Sequence, residues 1–146
     1  MSDYVRGLRA KVGHDLLLMP TVAARIRDED GRFLLVRHVE GRWQLPGGAV
    51  DPGERPEDAL ARECREEASV EVDVQAIVGA FGGPDYWVAY ENGDKAAFVT
   101  IVYDARIVRG ELRPGDDEIQ EIGWFTRDEI EELEMARPTR ATLRAL

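Results

Sequence analysis

The chain has 146 residues, 44% hydrophobic and 33% charged, with a formal net charge of −10; it suits one domain, residues 1–146, that buries its own core. The acidic balance argues against a long nucleic acid as partner, since that binding needs an excess of Lys and Arg, and no apolar run is long enough to span a membrane. The N-terminal stretch MSDYVRGLRAKVGHD lacks the apolar core of a secretory signal, and Cys64 is alone, so a disulfide framework is excluded and a cytoplasmic location is expected.

Residues 2–11 are expected to form a short helix, with Ser2 as its cap and Tyr4, Val5 and Leu8 on one side. It would pack on the domain or on a second subunit. Residues 16–27 and 33–39 look like two strands joined by the turn Asp28-Glu29-Asp30-Gly31, which together predict a β-hairpin. His38 ends the second strand, where a surface polar role is simpler than contact with a phosphate, and His14 carries no stronger signal. Residues 41–48 are expected to form a loop whose glycines allow backbone to approach a ligand closely.

The next stretch, GGAVDPGERPEDALARECREEASV, runs from a glycine turn into a helix over residues 56–68. Pro56 has its φ preset for the first helical position and lacks the N–H that would go unbonded there. Glu57 and Asp58 follow where negative charge is favoured. Glu63 stands three residues from Glu66 and four from Glu67, so the three carboxylates share one face. Like charges at those spacings destabilise a helix by about 0.2–0.5 kcal/mol per pair. Arg62 and Arg65 offset this in part, and a divalent cation would do so better, with Glu54 pointing into the same place. Mg²⁺ takes oxygen ligands of this kind. A plain solvated acidic face is the competing account of Glu66 and Glu67.

Residues 71–81 alternate, with Val72, Val74 and Ile77 as inward candidates. Gly82 to Asp85 breaks the pattern, residues 86–90 suggest a short strand, and Asn92-Gly93-Asp94 is a turn. A long strand over residues 96–108, an acidic loop at Asp116-Asp117-Glu118 and a last strand over residues 119–125 follow. Thr126 with Glu129 has the form of a capping box, and Pro138 opens a final short helix. Helices among strands and hairpins predict an α+β fold with helices on the faces of a mixed β-sheet.

The stretch from Gly48 to Val70 resembles the Nudix box, G-x5-E-x7-R-E-U-x-E-E-x-G-U with U a bulky apolar residue. Gly48, Glu54, Arg62, Glu63, Cys64, Glu66, Glu67 and Val70 match it in order, and Trp43 to Gly47 resembles the usual lead-in. Two positions depart from the pattern: Cys64 replaces a larger aliphatic residue, and Ser69 replaces the last glycine. The resemblance implies an α/β/α sandwich. It also implies a Nudix hydrolase, a pyrophosphohydrolase that cleaves a nucleoside diphosphate linked to another group and depends on Mg²⁺, with Mn²⁺ as the alternative ion.

In that family's terms Glu66 and Glu67 are the principal metal ligands, joined by Glu63 and the backbone of Gly48. Glu63 is also a candidate general base, and Arg62 orients a carboxylate. A further catalytic carboxylate is expected from the acidic loop, where Glu118 is favoured over Asp117 and Glu121. Arg37, Glu54 and Tyr86 are candidate substrate-binding residues. Relatives acting on ADP-ribose tend to carry a proline shortly after the box, and those acting on dinucleoside polyphosphates a tyrosine; Pro84 and Tyr86 both lie near that spot. The expected substrate is a small nucleotide, ADP-ribose or a nucleotide sugar, with dinucleoside polyphosphates and nucleoside triphosphates as alternatives. A catalytically inactive binding module is disfavoured by the intact carboxylates. A homodimer is compatible with the resemblance. Ser69 is expected to adopt the left-handed backbone of the glycine it replaces; otherwise its hydroxyl caps the helix.

Overall fold

The computed structural model describes residues 2–146. In chain order its elements are α1 (Asp3–Val12), β1 (Leu17–Arg25), β2 (Phe33–His38), β3 (Trp43–Gln44), β4 (Gly47–Ala49), α2 (Pro56–Ala68) and β5 (Glu71–Phe81). A 3-10 turn (Pro84–Tyr86) leads into β6 (Trp87–Ala89), β7 (Lys95–Arg109), β8 (Ile119–Phe125), α3 (Arg127–Glu131) and α4 (Arg137–Ala145). Among the described residues no helix is long and apolar enough to cross a membrane.

The long, β-branched and aromatic strand β7 organises the larger sheet. β1 lies parallel along one edge of it, and β6 and then β5 lie antiparallel along the other. β4 adds antiparallel to β1, giving five strands of mixed direction. The second sheet is antiparallel, in the order β3-β2-β8.

Two apolar cores hold the layers together. Leu60, Cys64 and Ala68 of α2 pack on Val22 and Ala24 of β1, Leu34 of β2, and Tyr103 and Ala105 of β7. On the opposite side Ile130 of α3 and Leu143 of α4 pack on Phe33, Leu35, Trp43 and Val102. β2 therefore alternates between the cores, which is why Phe33 through Val36 are all buried. Each fully buried Leu or Ile here contributes about 1.5–3 kcal/mol. The result is the expected mixed sheet with helices on both faces.

Three local expectations need correction. β1 and β2 do not form a hairpin. They join different sheets and keep only the Arg27–Phe33 bridge beside the turn. The turn residues are local signals, but β4 and β7 take the two edges of β1. Residues 41–48 are not simply a loop, because β3 and the start of β4 lie there. Ile77 does not point inward: the register of β5 against β7 shifts between Val74 and Ile77, which leaves Ile77 exposed and turns Val78 toward the other core. The caps are as expected, with Ser2 accepting from Val5 N–H and a full capping box at Thr126 and Glu129.

Candidate active site

α2 begins at Pro56 and lays Ala59, Leu60, Cys64 and Ala68 against the sheets. Its carboxylate stripe faces the glycine turn of β4. Glu67 is only 4% exposed. One of its oxygens accepts the Gly47 N–H at 2.8 Å, and the other lies 3.6 Å from Nε2 of His38, at the end of β2. Burial pushes the Glu67 carboxyl up, while His38 and the Gly47 N–H pull it back. In turn the neighbouring Glu67 raises His38 above the usual imidazole range. That His38 Nε2 is buried and makes no hydrogen bond.

Arg62 is the hub of the remaining carboxylates. Its Nε and Nη2 donate to the two oxygens of Glu54 at 2.7 and 2.9 Å, a bidentate pair of high geometric specificity. Its Nη1 donates to Glu63 at 3.0 Å and Glu66 at 3.3 Å, and Nη2 also reaches the Ala49 carbonyl at 3.2 Å. The Glu54 pair holds the Arg62 pKa up and the Glu54 pKa down. Glu63 behaves differently: burial, then the charge of Glu67, pushes it up to about 7 despite Arg62. Gly48 makes this packing feasible, since a Cβ there would lie 2.5 Å from Oε1 of Glu63.

The C-terminal turn of α2 is strapped by the segment that carries the acidic loop. Gly115 N–H donates to Glu67 C=O at 3.1 Å and Arg113 N–H to Ala68 C=O at 3.3 Å. A Cβ on Gly115 would stand 2.2 Å from the Glu66 carbonyl oxygen, so only glycine allows this approach. Ser69 ends the helix with φ 62° and ψ 27°, the left-handed conformation, and its hydroxyl also donates to Arg113 C=O at 3.1 Å. The left-handed ending is the expected one, and the hydroxyl ties the helix end to the strap and not to a helix carbonyl. Beyond the strap, Glu118 C=O accepts the Val39 N–H at 2.9 Å, which sets Glu118 beside His38. Glu121 is engaged by Arg37 at 2.6 Å, and Asp117 is exposed.

A cavity of about 280 Å³ opens on the other side of Gly47 and Gly48. Trp43, Tyr90 and Phe98 supply aromatic surface, Gln44 and Thr139 polar groups, and Glu40 and Arg42 add charge to its lining. Thr21 and Thr100, also in the lining, share a hydroxyl hydrogen bond of 2.7 Å. Tyr86 is buried and gives its hydroxyl to a 2.7 Å bond with Thr142, which itself lines the cavity. Arg37 lies over the Trp43 ring at 5.7 Å while pairing with Glu121.

The structure thus brings together Gly48, Glu54, Arg62, Glu63, Glu66 and Glu67, places Glu118 at their margin, and sets Arg37 and Tyr86 behind neighbours. Among the described residues no three of His, Cys, Asp and Glu are gathered closely enough to enclose a metal ion. Glu63 and Glu66 are instead turned onto Arg62. The donor set is nonetheless one of hard carboxylate oxygens, with Glu67 buried and Glu63 half-buried beside it, and it fits Mg²⁺ or Mn²⁺ better than a softer ion. The strand-end position of His38 gives no local sign of the buried carboxylate that faces it. Gly115 and the Thr21–Thr100 pair likewise carry no local signal in the sequence. Pairing of β1 with β7 across most of the chain is what reveals the threonines.

The NUDIX domain family matches residues 17–146. A nucleoside triphosphatase of Escherichia fergusonii is 30% identical over 132 residues, covering 84% of this chain and 93% of that one. An ADP-ribose pyrophosphatase of Methanocaldococcus jannaschii is 33% identical over 107 residues, covering 70% of this chain and 60% of that longer protein. A MutT NUDIX hydrolase of Burkholderia pseudomallei superposes with a TM-score of 0.71 at 30% identity, covering 88% of this chain and 97% of that chain.

Proposed function

The chain belongs to the NUDIX family, and on that premise we propose that it is a metal-dependent pyrophosphohydrolase acting on a nucleoside diphosphate linked to a further group. The carrying observation is the seam where the buried Glu67 and the half-buried Glu63 meet the Gly47–Gly48 turn, Glu67 on the Gly47 N–H and Glu63 where a Gly48 Cβ would stand. A divalent cation bound there would neutralise diphosphate oxygens, lower the pKa of a water and stabilise the leaving oxygen. Glu63, Glu66 and Glu67, with the Gly48 backbone, are its proposed ligands.

Arg62 holds Glu54 as a fixed strut and orients Glu63. With little covalent work at a phosphoryl centre, positioning of this kind carries much of the rate. The proton from the attacking water goes to Glu63 or Glu118. Glu118 is preferred because its backbone carbonyl is tied to Val39 beside His38, whereas Glu121 is spent on Arg37. The nucleoside or its partner group would occupy the cavity beside Trp43, Tyr90 and Phe98, with the diphosphate at the Gly47 and Gly48 edge. In this reading Arg37, Glu54 and Tyr86 act through Trp43, Arg62 and Thr142 rather than by touching substrate.

ADP-ribose or a nucleotide sugar is the proposed substrate class, in line with the Methanocaldococcus jannaschii relative. A nucleoside triphosphate is the second reading, favoured by the near full-length match to the Escherichia fergusonii protein. Assay of ADP-ribose, nucleotide sugars and nucleoside triphosphates with Mg²⁺ and Mn²⁺, reading released monophosphate, phosphate and pyrophosphate, separates the two. Turnover should vanish in excess chelator and return with either ion, and the ion should raise the melting temperature. Turnover that survives chelation intact overturns the metal reading. Glu118→Gln should lower kcat about a hundredfold or more and move KM less; a loss confined to Asp117 or Glu121 variants reassigns the role.

A further inference from the structure

Helix α1 precedes the residues that match the family, yet it is fastened to the rim of the cavity. The fastener is Arg9, whose side chain is only 12% exposed although it lies on a surface helix. Its Nη1 donates to the carbonyls of Gly13 at 3.2 Å and Asp15 at 2.6 Å. Its Nη2 donates to the Lys95 carbonyl at 2.7 Å, and its Nε lies 3.6 Å from the Asp94 carboxylate. The other Asp94 oxygen is 2.8 Å from Nδ1 of His14. One planar guanidinium thus ties the end of α1 to the turn between β6 and β7. A lysine, with a single ammonium, has no such fork of donors.

That turn fixes Tyr90. The Asp94 carbonyl accepts the Tyr90 N–H at 2.8 Å, and the Tyr90 carbonyl accepts the Gly93 N–H at 2.9 Å. The Asn92 side chain braces Asp94 from both its amide groups. β6 ends at Ala89, so the Asn92–Asp94 turn supplies the hydrogen bonds of the Tyr90 backbone. The Tyr90 ring lines the cavity while 45% of the residue stays exposed. A half-open aromatic face at a cavity mouth is suited to stacking on a flat organic group.

We propose that Arg9 and Asp94 are positioning residues and that α1 is a specificity element: it holds the turn so that Tyr90 is set against the organic part of the substrate. This rests on the reading of the cavity as the site of a nucleoside diphosphate derivative. The carboxylate seam lies across Gly47 and Gly48 and none of its hydrogen bonds involves α1, so the effect belongs to KM and not to kcat.

The test uses the full chain with Mg²⁺ and whichever of ADP-ribose, ATP, GTP, CTP or UTP the wild type turns over best. Arg9→Ala and Tyr90→Ala should each raise KM about five- to tenfold and leave kcat within about twofold. The double variant should be no worse than Tyr90→Ala alone, since residues acting through one contact are not additive. An unchanged KM for Arg9→Ala, additive losses in the double variant, or a fall in kcat at constant KM overturns the proposal. Should Arg9→Ala fold poorly, Arg9→Lys, which keeps the charge but not the fork of donors, is read the same way. A wild type that turns over none of the five, no nucleotide sugar and no dinucleoside polyphosphate refutes the pyrophosphohydrolase reading instead. The staple then stands or falls on amide exchange at Tyr90, which Arg9→Ala should speed about tenfold or more; an unchanged rate overturns it.

Discussion

Glu54, Arg62, Glu63, Glu66 and Glu67 come from one turn and one helix, whereas the cavity beside them is assembled from β1, β3, β4, β6, β7 and the start of α4. In the first region the chemistry is spaced by the helix itself. In the second, groups such as Thr21 and Thr100 meet only because β1 and β7 pair in parallel at that register. The first region takes its spacing from the helix, while Glu67 is further held by Gly47 and faced by His38, both outside that helix. The second region is set by tertiary contacts between elements distant in the chain.

The strongest way to break this contrast is Glu67→Gln. The amide oxygen can still accept the Gly47 N–H, so the fold should persist, and loss of one like charge should leave metal-free stability equal or slightly higher. Turnover should drop about a hundredfold or more, equally for every substrate. Measured kcat near the native value at saturating metal would remove Glu67 from the ligand set.

Thr100→Val probes the assembled region. It should shift KM about three- to tenfold, to different extents for different substrates, and spare kcat. The Thr21 hydroxyl loses its partner, and stability should fall by about 1 kcal/mol. A uniform loss of kcat across substrates would place this pair with the chemistry and dissolve the contrast.

The smallest effect is expected at Ser69, inside the helical stretch but outside its chemistry. A left-handed non-glycine residue carries about 1–2 kcal/mol of strain, and the bond to Arg113 C=O returns about 0.5–1.5 kcal/mol of that. Ser69→Gly relieves the strain, loses the bond and gains freedom in the unfolded chain, so the net change should stay within about 0.5 kcal/mol of zero. Ser69→Ala keeps the strain and loses the bond, and should be less stable by about 1 kcal/mol. Denaturation of both variants checks this, and an alanine variant as stable as wild type would mean that the hydroxyl contributes nothing.

What was legible in the sequence follows the same division. The carboxylate stripe, Pro56 at the helix start, the left-handed Ser69 and the Thr126 capping box all rest on interactions within a few residues. The hairpin expected of β1 and β2 failed because strand partners are chosen by competing edges, and β4 and β7 lie far along the chain from β1. Ile77 was misplaced because the register of β5 against β7 shifts between Glu71 and Val72, Val74 and Ile77, and Ile77 and Gly79, so no single period assigns its side chains to a face. Nothing local marks His38 as the neighbour of Glu67, and nothing local marks Gly115 as the residue that lets the acidic loop reach α2.

Cys64 sits between the arginine hub and the core, fully buried, with its thiol pushed up to about 12 by burial and then by Glu67 and Glu63. It is the lone thiol of the chain, and at neutral pH it has almost no nucleophilic thiolate while folded. An alkylating reagent can reach it only when α2 lifts from the sheets. The labelling rate therefore becomes a clock for opening of the carboxylate helix, with no competing site to correct for. A ligand that bridges α2 to the β4 turn should slow that clock in proportion to how tightly it holds the two together.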